Sequence, residues 1–271
     1  MMSRYARLFA SLEARGEGAL IPFLMLGDPD AVTCLARIDA VVAAGADALE
    51  LGLPFSDPVA DGPVLVSAAN RALGAGMTTA KSFELLARVR ARHPDLPIGV
   101  LVYANLVFAR GLEYFHARAA AAGVDSVLVP DAPLHEGGPF AAAAKRHGID
   151  PVFILPPDAN DATLANVAAA SRGYTYVLGR RGVTGTEQTL DLPAHERIAA
   201  LKRAGAPPPV IGFGISTPAQ VRSAIAAGAA GVIVGSALTA ALAQGEDAGR
   251  VVRALKAATR EQGEIPRMHR L

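Results

Sequence analysis

The sequence has few residues of the types that build disulfides, zinc sites or Schiff bases. Its 271 residues include no tryptophan and a single cysteine, Cys34. One thiol excludes an intramolecular disulfide and a cysteine-based zinc site, so Cys34 is expected to be a small buried hydrophobe on a helix in a reducing compartment. The only lysines, at positions 81, 145, 202 and 256, all fall in predicted helices. No lysine at a strand end is therefore available for a Schiff base.

Metal ligands and excess charge are also scarce. The six histidines, at positions 93, 116, 135, 147, 195 and 269, show no metal-ligand spacing. The 26 basic and 25 acidic residues are interspersed and leave a net charge of +1. We therefore predict no metal site and no electrostatic footprint for nucleic acid or a membrane surface.

Targeting and membrane segments are not predicted either. The N-terminus has charged residues spaced through it and no apolar core, so it does not resemble a secretory signal, and a cytoplasmic location is expected. Residues 223–245 form an uncharged run long enough to span a bilayer. Three glycines interrupt this run, a β-branched triplet lies inside it, and most of the rest is alanine. A helix end, a strand and a new helix explain these residues better.

A short sequence pattern recurs along the chain. Residues 43–52, 121–130 and 226–235 each begin with Ala-Ala-Gly and continue into an apolar stretch. Each copy is typical of a helix that ends at a glycine, a tight turn and a buried parallel strand. Weaker copies follow Gly148, Gly173 and Gly205. The repeat is therefore a βα unit.

Counting these units predicts eight strands with helices between them. The predicted strands are residues 20–24, 48–51, 98–102, 124–129, 152–155, 174–178, 210–213 and 231–234. The predicted helices include residues 31–43, 79–92, 112–121, 138–147, 161–171, 193–203 and 217–226. Two extra helices are expected, one at residues 3–14 that closes the bottom of the barrel and one at residues 63–73 after the second strand. The prediction is an α/β fold, a single (β/α)8 barrel over residues 1–271, with a doubly wound open sheet as the alternative.

A carboxylate lies at the end of the second predicted strand, and a stiff loop follows it. Residues 48–51 are apolar apart from Glu50 and are bounded by glycine and proline, as in a strand buried on both faces. An ionised carboxylate in an apolar wall is costly unless it is paired, solvated or neutralised by a raised pKa. The next loop contains prolines and carries Asp57 and Asp61. We expect Glu50 and Asp61 to face one cleft.

The active site of such folds lies at the C-terminal ends of the strands, which predicts the residues around the cleft. They are Phe23, Glu50, Leu101, Tyr103, Leu128, Asp131, Ile154, Tyr176, Phe213, Gly235 and Ser236. Most are apolar, so a flat hydrophobic substrate is expected. For the apolar members the alternative is plain barrel core, Asp131 is equally explained as a turn cap, and the two tyrosines as buried hydroxyls.

Glycines in the last three strand-end loops form a second group of candidate site residues. Gly182-Val-Thr-Gly185, Gly212-Phe-Gly-Ile-Ser216 and Gly235-Ser236 follow strands six, seven and eight, and a short helix is expected to begin at Ser236. Backbone N–H groups without a neighbouring Cβ, together with a helix N-terminus, predict a phosphate-binding site. The alternative is that these glycines only form turns.

Several of these segments resemble the tryptophan synthase alpha chain family. The resemblance rests on Pro22-Phe-Leu-Met-Leu-Gly-Asp-Pro29, Glu50-Leu-Gly-Leu-Pro-Phe-Ser-Asp-Pro-Val-Ala-Asp-Gly-Pro63, Tyr103-Ala-Asn105, Gly182-Val-Thr-Gly185 and Gly212-Phe-Gly-Ile-Ser216. It implies a lyase that cleaves indole-3-glycerol phosphate to indole and glyceraldehyde 3-phosphate. It also implies that indole passes to a beta chain, in an alpha2-beta2 heterotetramer, and that pyridoxal phosphate belongs to the beta chain, with no cofactor in this one.

The resemblance assigns roles to residues of this sequence. It implies that Glu50 is the general acid/base and that Asp61 accepts a hydrogen bond from the indole N–H. It places Phe23, Leu101, Tyr103, Leu128, Ile154, Tyr176 and Phe213 around the ring, Gly185, Gly214, Gly235 and Ser236 around the phosphate, and Thr184 against Asp61. One departure is Gly179-Arg180-Arg181, where the family usually has a serine, which affects loop hydrogen bonds near the phosphate. The alternatives are another phosphate-binding barrel enzyme of aromatic amino-acid biosynthesis and a catalytically silent partner-activating subunit.

Overall fold

The computed structural model describes residues 2–179 and 194–260. Within them the strands are β1 (Ala19–Met25), β2 (Leu49–Gly52), β3 (Ile98–Leu101), β4 (Ser126–Leu128), β5 (Asp150–Val152), β6 (Ile154–Leu155), β7 (Thr175–Leu178), β8 (Pro209–Gly212) and β9 (Gly231–Val234). The helices are α1 (Arg4–Glu13), α2 (Ala31–Ala43), α3 (Pro63–Gly74), α4 (Thr79–Arg92), α5 (Ala104–Phe108), α6 (Leu112–Ala121), α7 (Gly138–Arg146), α8 (Asp161–Ala170), α9 (Ala194–Arg203), α10 (Pro218–Ala226), α11 (Ser236–Ala243) and α12 (Ala248–Ala257).

The strands form one parallel sheet that is rolled into a barrel. Their order is β5-β4-β3-β2-β1-β9-β8-β7-β6. The two ends of this order are consecutive in the chain and are separated by Phe153 alone, whose carbonyl accepts a 3.1 Å hydrogen bond from the Tyr176 N–H. The predicted fifth strand is thus two short ones, β5 paired with β4 and β6 paired with β7. The predicted (β/α)8 barrel is confirmed, and the open sheet is excluded.

Helix α1 closes the bottom of the barrel, as the sequence predicted. Tyr5, Phe9 and Leu12 form its buried face. The Tyr5 hydroxyl lies 3.0 Å from the Ser126 Oγ inside the barrel, and the Tyr5 ring packs against the Tyr174 ring with centroids 5.4 Å apart. Burying an aromatic face of this size stabilises the fold by a few kcal/mol, which fixes the helix across the barrel floor.

The helix bounds agree with the predicted ones to within one or two residues, with local reasons visible at several ends. Asp30 caps α2 by accepting hydrogen bonds from the Val32 and Thr33 N–H groups, and Thr217 and Gln220 form a capping box at α10. Cys34 is buried on α2, as predicted. No helix among the described residues is long and apolar enough to cross a membrane. The run at 223–245 instead contains the end of α10, then β9 and α11.

Candidate active site

Glu50 lies on β2, inside the barrel and close to the C-terminal ends of the strands. It is paired in register with Phe23 of β1 and Gly99 of β3, and only 2% of its surface is exposed. Burial raises the pKa of its carboxyl to about 7. The hydrogen bond from Tyr174 lowers this pKa, and the nearby charge of Asp61 raises it. A carboxyl with a pKa near neutrality both gives and takes a proton readily.

Asp61 lies in the loop between β2 and α3, immediately before the helix cap. Gly62 is the N-cap residue of α3 and Pro63 its first residue, which fixes where the loop ends. Asp61 is partly buried, and burial raises the pKa of its carboxyl while a hydrogen bond from the Tyr103 hydroxyl lowers it. The two carboxylates therefore have different surroundings, one in the barrel wall and one on the loop above it.

Glu50 and Asp61 line one open cavity of about 530 Å³. Its walls are predominantly apolar, and its described lining residues are Phe23, Glu50, Ala60, Asp61, Leu65, Leu101, Pro130, Tyr176, Phe213, Gly214, Ile215, Ile233, Gly235 and Ser236. Tyr176 and Phe213 meet edge to face with centroids 6.0 Å apart. An apolar cavity with a few convergent polar groups is the usual form of a small-molecule site.

Glycine backbone at two strand ends lines the cavity. Phe213 and Gly214 follow β8 with positive φ angles of 64° and 84°, and Gly235 precedes the first turn of α11. A Cβ on Gly235 would lie 3.3 Å from the Cβ of Phe23, so glycine permits this close approach. Ser236 is the first residue of α11 and lines the cavity. Backbone N–H groups at a helix N-terminus favour an anion.

The structure brings most of the predicted site residues together and separates three. Phe23, Glu50, Asp61, Leu101, Tyr176, Phe213, Gly214, Gly235 and Ser236 line the cavity. Tyr103 is buried against the loop that carries Asp61, Leu128 is buried on β4 as the register partner of Leu101, and Ile154 lines a neighbouring cavity. Thr184 and Gly185 lie outside the described residues. All the substrate contacts assigned to these residues remain predictions.

Other residues of the site were not predicted. The Tyr174 hydroxyl donates a 3.0 Å hydrogen bond to Glu50 Oε1, and Leu65, Pro130, Ile215 and Ile233 contribute apolar wall. Tyr174 precedes Tyr176 by two residues, so the period of two along a strand places both on one face. Asp131 was expected at the pocket, but its Oδ1 accepts a 2.9 Å hydrogen bond from the Ala104 N–H. Asp131 therefore holds the start of α5, which is neither the pocket position nor the cap of its own turn that the sequence suggested.

Comparison with known proteins decides the family of this chain. The family model described as tryptophan synthase alpha chain matches residues 9–265. The chain belongs to this family. Tryptophan synthase alpha chains carry the lyase activity that cleaves indole-3-glycerol phosphate, and membership places this chain in tryptophan biosynthesis and implies a beta-chain partner.

Curated relatives and solved structures agree with this assignment. The tryptophan synthase alpha chain of Shewanella baltica strain OS155 is 54% identical over 264 residues, which cover 94% of this chain and 97% of the relative. That of Cronobacter sakazakii is 57% identical over 237 residues, 88% of each chain. A Mycobacterium tuberculosis tryptophan synthase structure superposes with a TM-score of 0.88 at 32% identity, covering 97% of this chain and all of that one. The confirmed barrel is thus the tryptophan synthase alpha fold.

Proposed function

We propose that the cavity described above binds indole-3-glycerol phosphate and breaks its bond between indole C3 and the glycerol chain. The observation that carries the proposal is the pair of carboxylates, Glu50 and Asp61, in one predominantly apolar cavity that Gly214 and Gly235 also line. From their positions in the sequence, the four lysines and six histidines are predicted to offer neither a Schiff base nor a metal site at the strand ends. The substrate's own ring then serves as the electron sink.

The proposed steps follow from the chemistry of the two carboxylates. Glu50 in its protonated form gives its proton to indole C3, which makes the ring an iminium-like cation, and the Asp61 carboxylate stabilises the positive charge that grows at the ring N–H. Glu50 removes the proton of the glycerol hydroxyl next to the breaking bond. The hydroxyl carbon becomes the aldehyde of glyceraldehyde 3-phosphate, and the bonding electrons return to the ring to give indole. One proton enters at carbon and one leaves from oxygen, so the step balances.

The remaining cavity residues are proposed to hold the two ends of the substrate. Phe23, Leu101, Tyr176 and Phe213 provide apolar surface for the indole ring. Gly214, Gly235 and Ser236 offer N–H and hydroxyl donors for the phosphate, close to the first turn of α11. We propose that Thr184 and Gly185 complete these contacts, although both lie outside the described residues.

The catalytic proposal is tested with matched variants of the purified chain. Glu50→Gln and Asp61→Asn are each expected to lower kcat for indole release by more than about 10², because each removes a charge needed only as the bond breaks. Glu84→Gln, an exposed carboxylate on α4, is the control and keeps wild-type turnover. Near wild-type turnover of either cavity variant would reject the assignment. No indole release by the wild-type chain would favour a silent subunit.

We also propose where the beta chain docks. Val59, in the loop after β2, is 74% exposed, and Phe108, at the end of α5, is 57% exposed, although both are large apolar side chains. Both lie at the C-terminal end of the barrel, and the Phe108 ring packs edge to face on Phe140 with centroids 5.0 Å apart. Exposed apolar surface beside an active site favours a partner interface.

The docking proposal has its own measurement. Phe108→Asp is expected to weaken binding of the purified beta chain at least tenfold in calorimetry. Met2→Asp, at a similarly exposed apolar position before the helix that closes the opposite end of the barrel, leaves binding unchanged. Light scattering of the complex tests the proposed alpha2-beta2 stoichiometry. Equal binding by both variants would place the interface elsewhere.

We further propose a cytoplasmic location, supported by the single cysteine, and pyridoxal phosphate in the beta chain only.

A further inference from the structure

Tyr103 connects the end of β3 to the loop that carries Asp61. It is the N-cap residue of α5, and only 2% of its surface is exposed. Its hydroxyl accepts a 3.2 Å hydrogen bond from the Ala60 N–H and donates one to the Asp61 carboxylate. Its ring packs on Phe55 with centroids 5.5 Å apart. One side chain therefore contacts three residues of the loop, and Tyr103 is not among the described residues that line the cavity.

We infer that Tyr103 is a positioning residue for the cleavage reaction, which aims the Asp61 carboxylate at the substrate ring. The inference rests on the proposed function, because it assigns Asp61 the task of stabilising charge at the ring nitrogen. It differs from the predicted role of Tyr103, which was to contact the ring itself.

The physical reason is that a carboxylate on a loop needs a second point of attachment. A free aspartate side chain samples several rotamers, and freezing them only when the substrate binds would cost conformational entropy. The hydrogen bond from Tyr103 occupies part of the carboxylate and leaves acceptor positions for the ring N–H. A prealigned carboxylate needs no reorganisation as charge develops. The hydrogen bond from the Ala60 N–H to the Tyr103 hydroxyl likewise fixes the backbone next to Asp61.

The same hydrogen bond favours the ionised form of Asp61. Burial raises the pKa of Asp61, and donation by Tyr103 lowers it. Burial, and then the charge of Asp61, raise the pKa of Tyr103, so the phenol keeps its proton and remains a donor. The other titratable groups that interact with Asp61 are Glu50 and Tyr176, whose own pKa values are raised by burial and by the Asp61 charge. Ionisations at this site are therefore assigned by comparing variants.

The test replaces Tyr103 by phenylalanine, which keeps the ring and removes the hydroxyl. For Tyr103→Phe we expect kcat about tenfold lower and KM within about twofold of wild type, because one hydrogen bond that aligns a reacting group is lost. The ionisation that disappears in Asp61→Asn should move to higher pH by about 0.5–1 unit in Tyr103→Phe. In an Asp61→Asn background, Tyr103→Phe should have less than about a twofold further effect.

A second variant and a control protect the test against a folding defect. Incorporation of 3-fluorotyrosine at position 103 keeps the shape and makes the phenol a stronger donor, so the Asp61 ionisation should move to lower pH. Tyr114→Phe, a half-exposed hydroxyl on α6, should change neither kcat nor the pH profile. If neither replacement at position 103 moves the Asp61 ionisation, or if KM rises with kcat unchanged, the positioning role is overturned while the proposed function stands. Wild-type turnover of Asp61→Asn would instead overturn the proposed function, and the inference with it.

Discussion

The hydroxyl of Tyr174 donates a 3.0 Å hydrogen bond to Oε1 of Glu50, although 124 positions separate the two residues in the chain. The Tyr174 ring in turn packs on Tyr5 of the helix that closes the barrel floor. The carboxylate proposed to move the proton is thus supported from below by two aromatic layers. This support orients the carboxylate, and its hydrogen bond lowers the pKa that burial raises.

The first prediction concerns the pH dependence of the reaction. The hydrogen bond from Tyr174 lowers the pKa of Glu50, so Tyr174→Phe raises it further. The ionisation of Glu50, which is near pH 7 in the wild type, should shift upward by about 0.5–1 unit. The measurement is the pH profile of kcat/KM, with Glu50→Gln used to identify the ionisation. A profile unchanged in Tyr174→Phe would mean that the hydrogen bond does not act on the ionised carboxylate.

The second prediction concerns stability. Glu50 has a pKa of about 7 in the folded protein, above its ordinary value of 4.5, so the folded state binds the proton more tightly than the unfolded state does. Stability linked to this proton is complete below about pH 4.5 and is lost as the pH rises through 7. Glu50→Gln, which never ionises, should match the wild type at pH 4 and be more stable by on the order of 3 kcal/mol at pH 8. Urea unfolding at both pH values tests this, with Glu84→Gln as control.

The third prediction concerns the phosphate end of the cavity. Ser236 is buried to 8% exposure at the first turn of α11. If its hydroxyl contacts the phosphate in both the bound and the transition state, Ser236→Ala should raise KM for indole-3-glycerol phosphate about three- to tenfold with little change in kcat. The inhibition constant of inorganic phosphate should rise in parallel. A fall in kcat without a change in KM would place Ser236 near the reacting atoms instead.

The fourth prediction concerns an ion pair that fixes α3. The Arg71 guanidinium donates two hydrogen bonds, of 2.6 and 2.9 Å, to the Asp28 carboxylate, which is 7% exposed. Among the described residues, Arg71→Met should leave the Asp28 carboxylate with the more distant Arg37 as its cationic partner, at 3.7 Å, and cost about 1–2 kcal/mol. The cost is below that of a fully buried pair because Arg71 is 36% exposed. Thermal unfolding measures it, and Asp28→Asn in the Arg71→Met background should restore part of the loss.

The barrel could be predicted from the sequence because its signals are local. A glycine at most of the helix ends, a short apolar stretch after it and an amphipathic helix next require no knowledge of distant residues. The break at Phe153 could not be predicted, because it depends on which neighbours β5 and β6 find on either side. The short helix α5 also escaped prediction, since five residues are too few for a periodic pattern.

The sequence by itself determined the fold class, the end of the barrel that carries the site, and the presence of Glu50, Asp61 and the glycine loops at that end. Only the tertiary structure decided which partner each polar side chain takes. It directs Tyr103 to Asp61, Tyr174 to Glu50, and Asp131 to the start of α5. The physical reason is that strand position fixes the face on which a side chain begins. Its hydrogen-bond partner and its pKa depend on groups that are brought near only when the barrel closes.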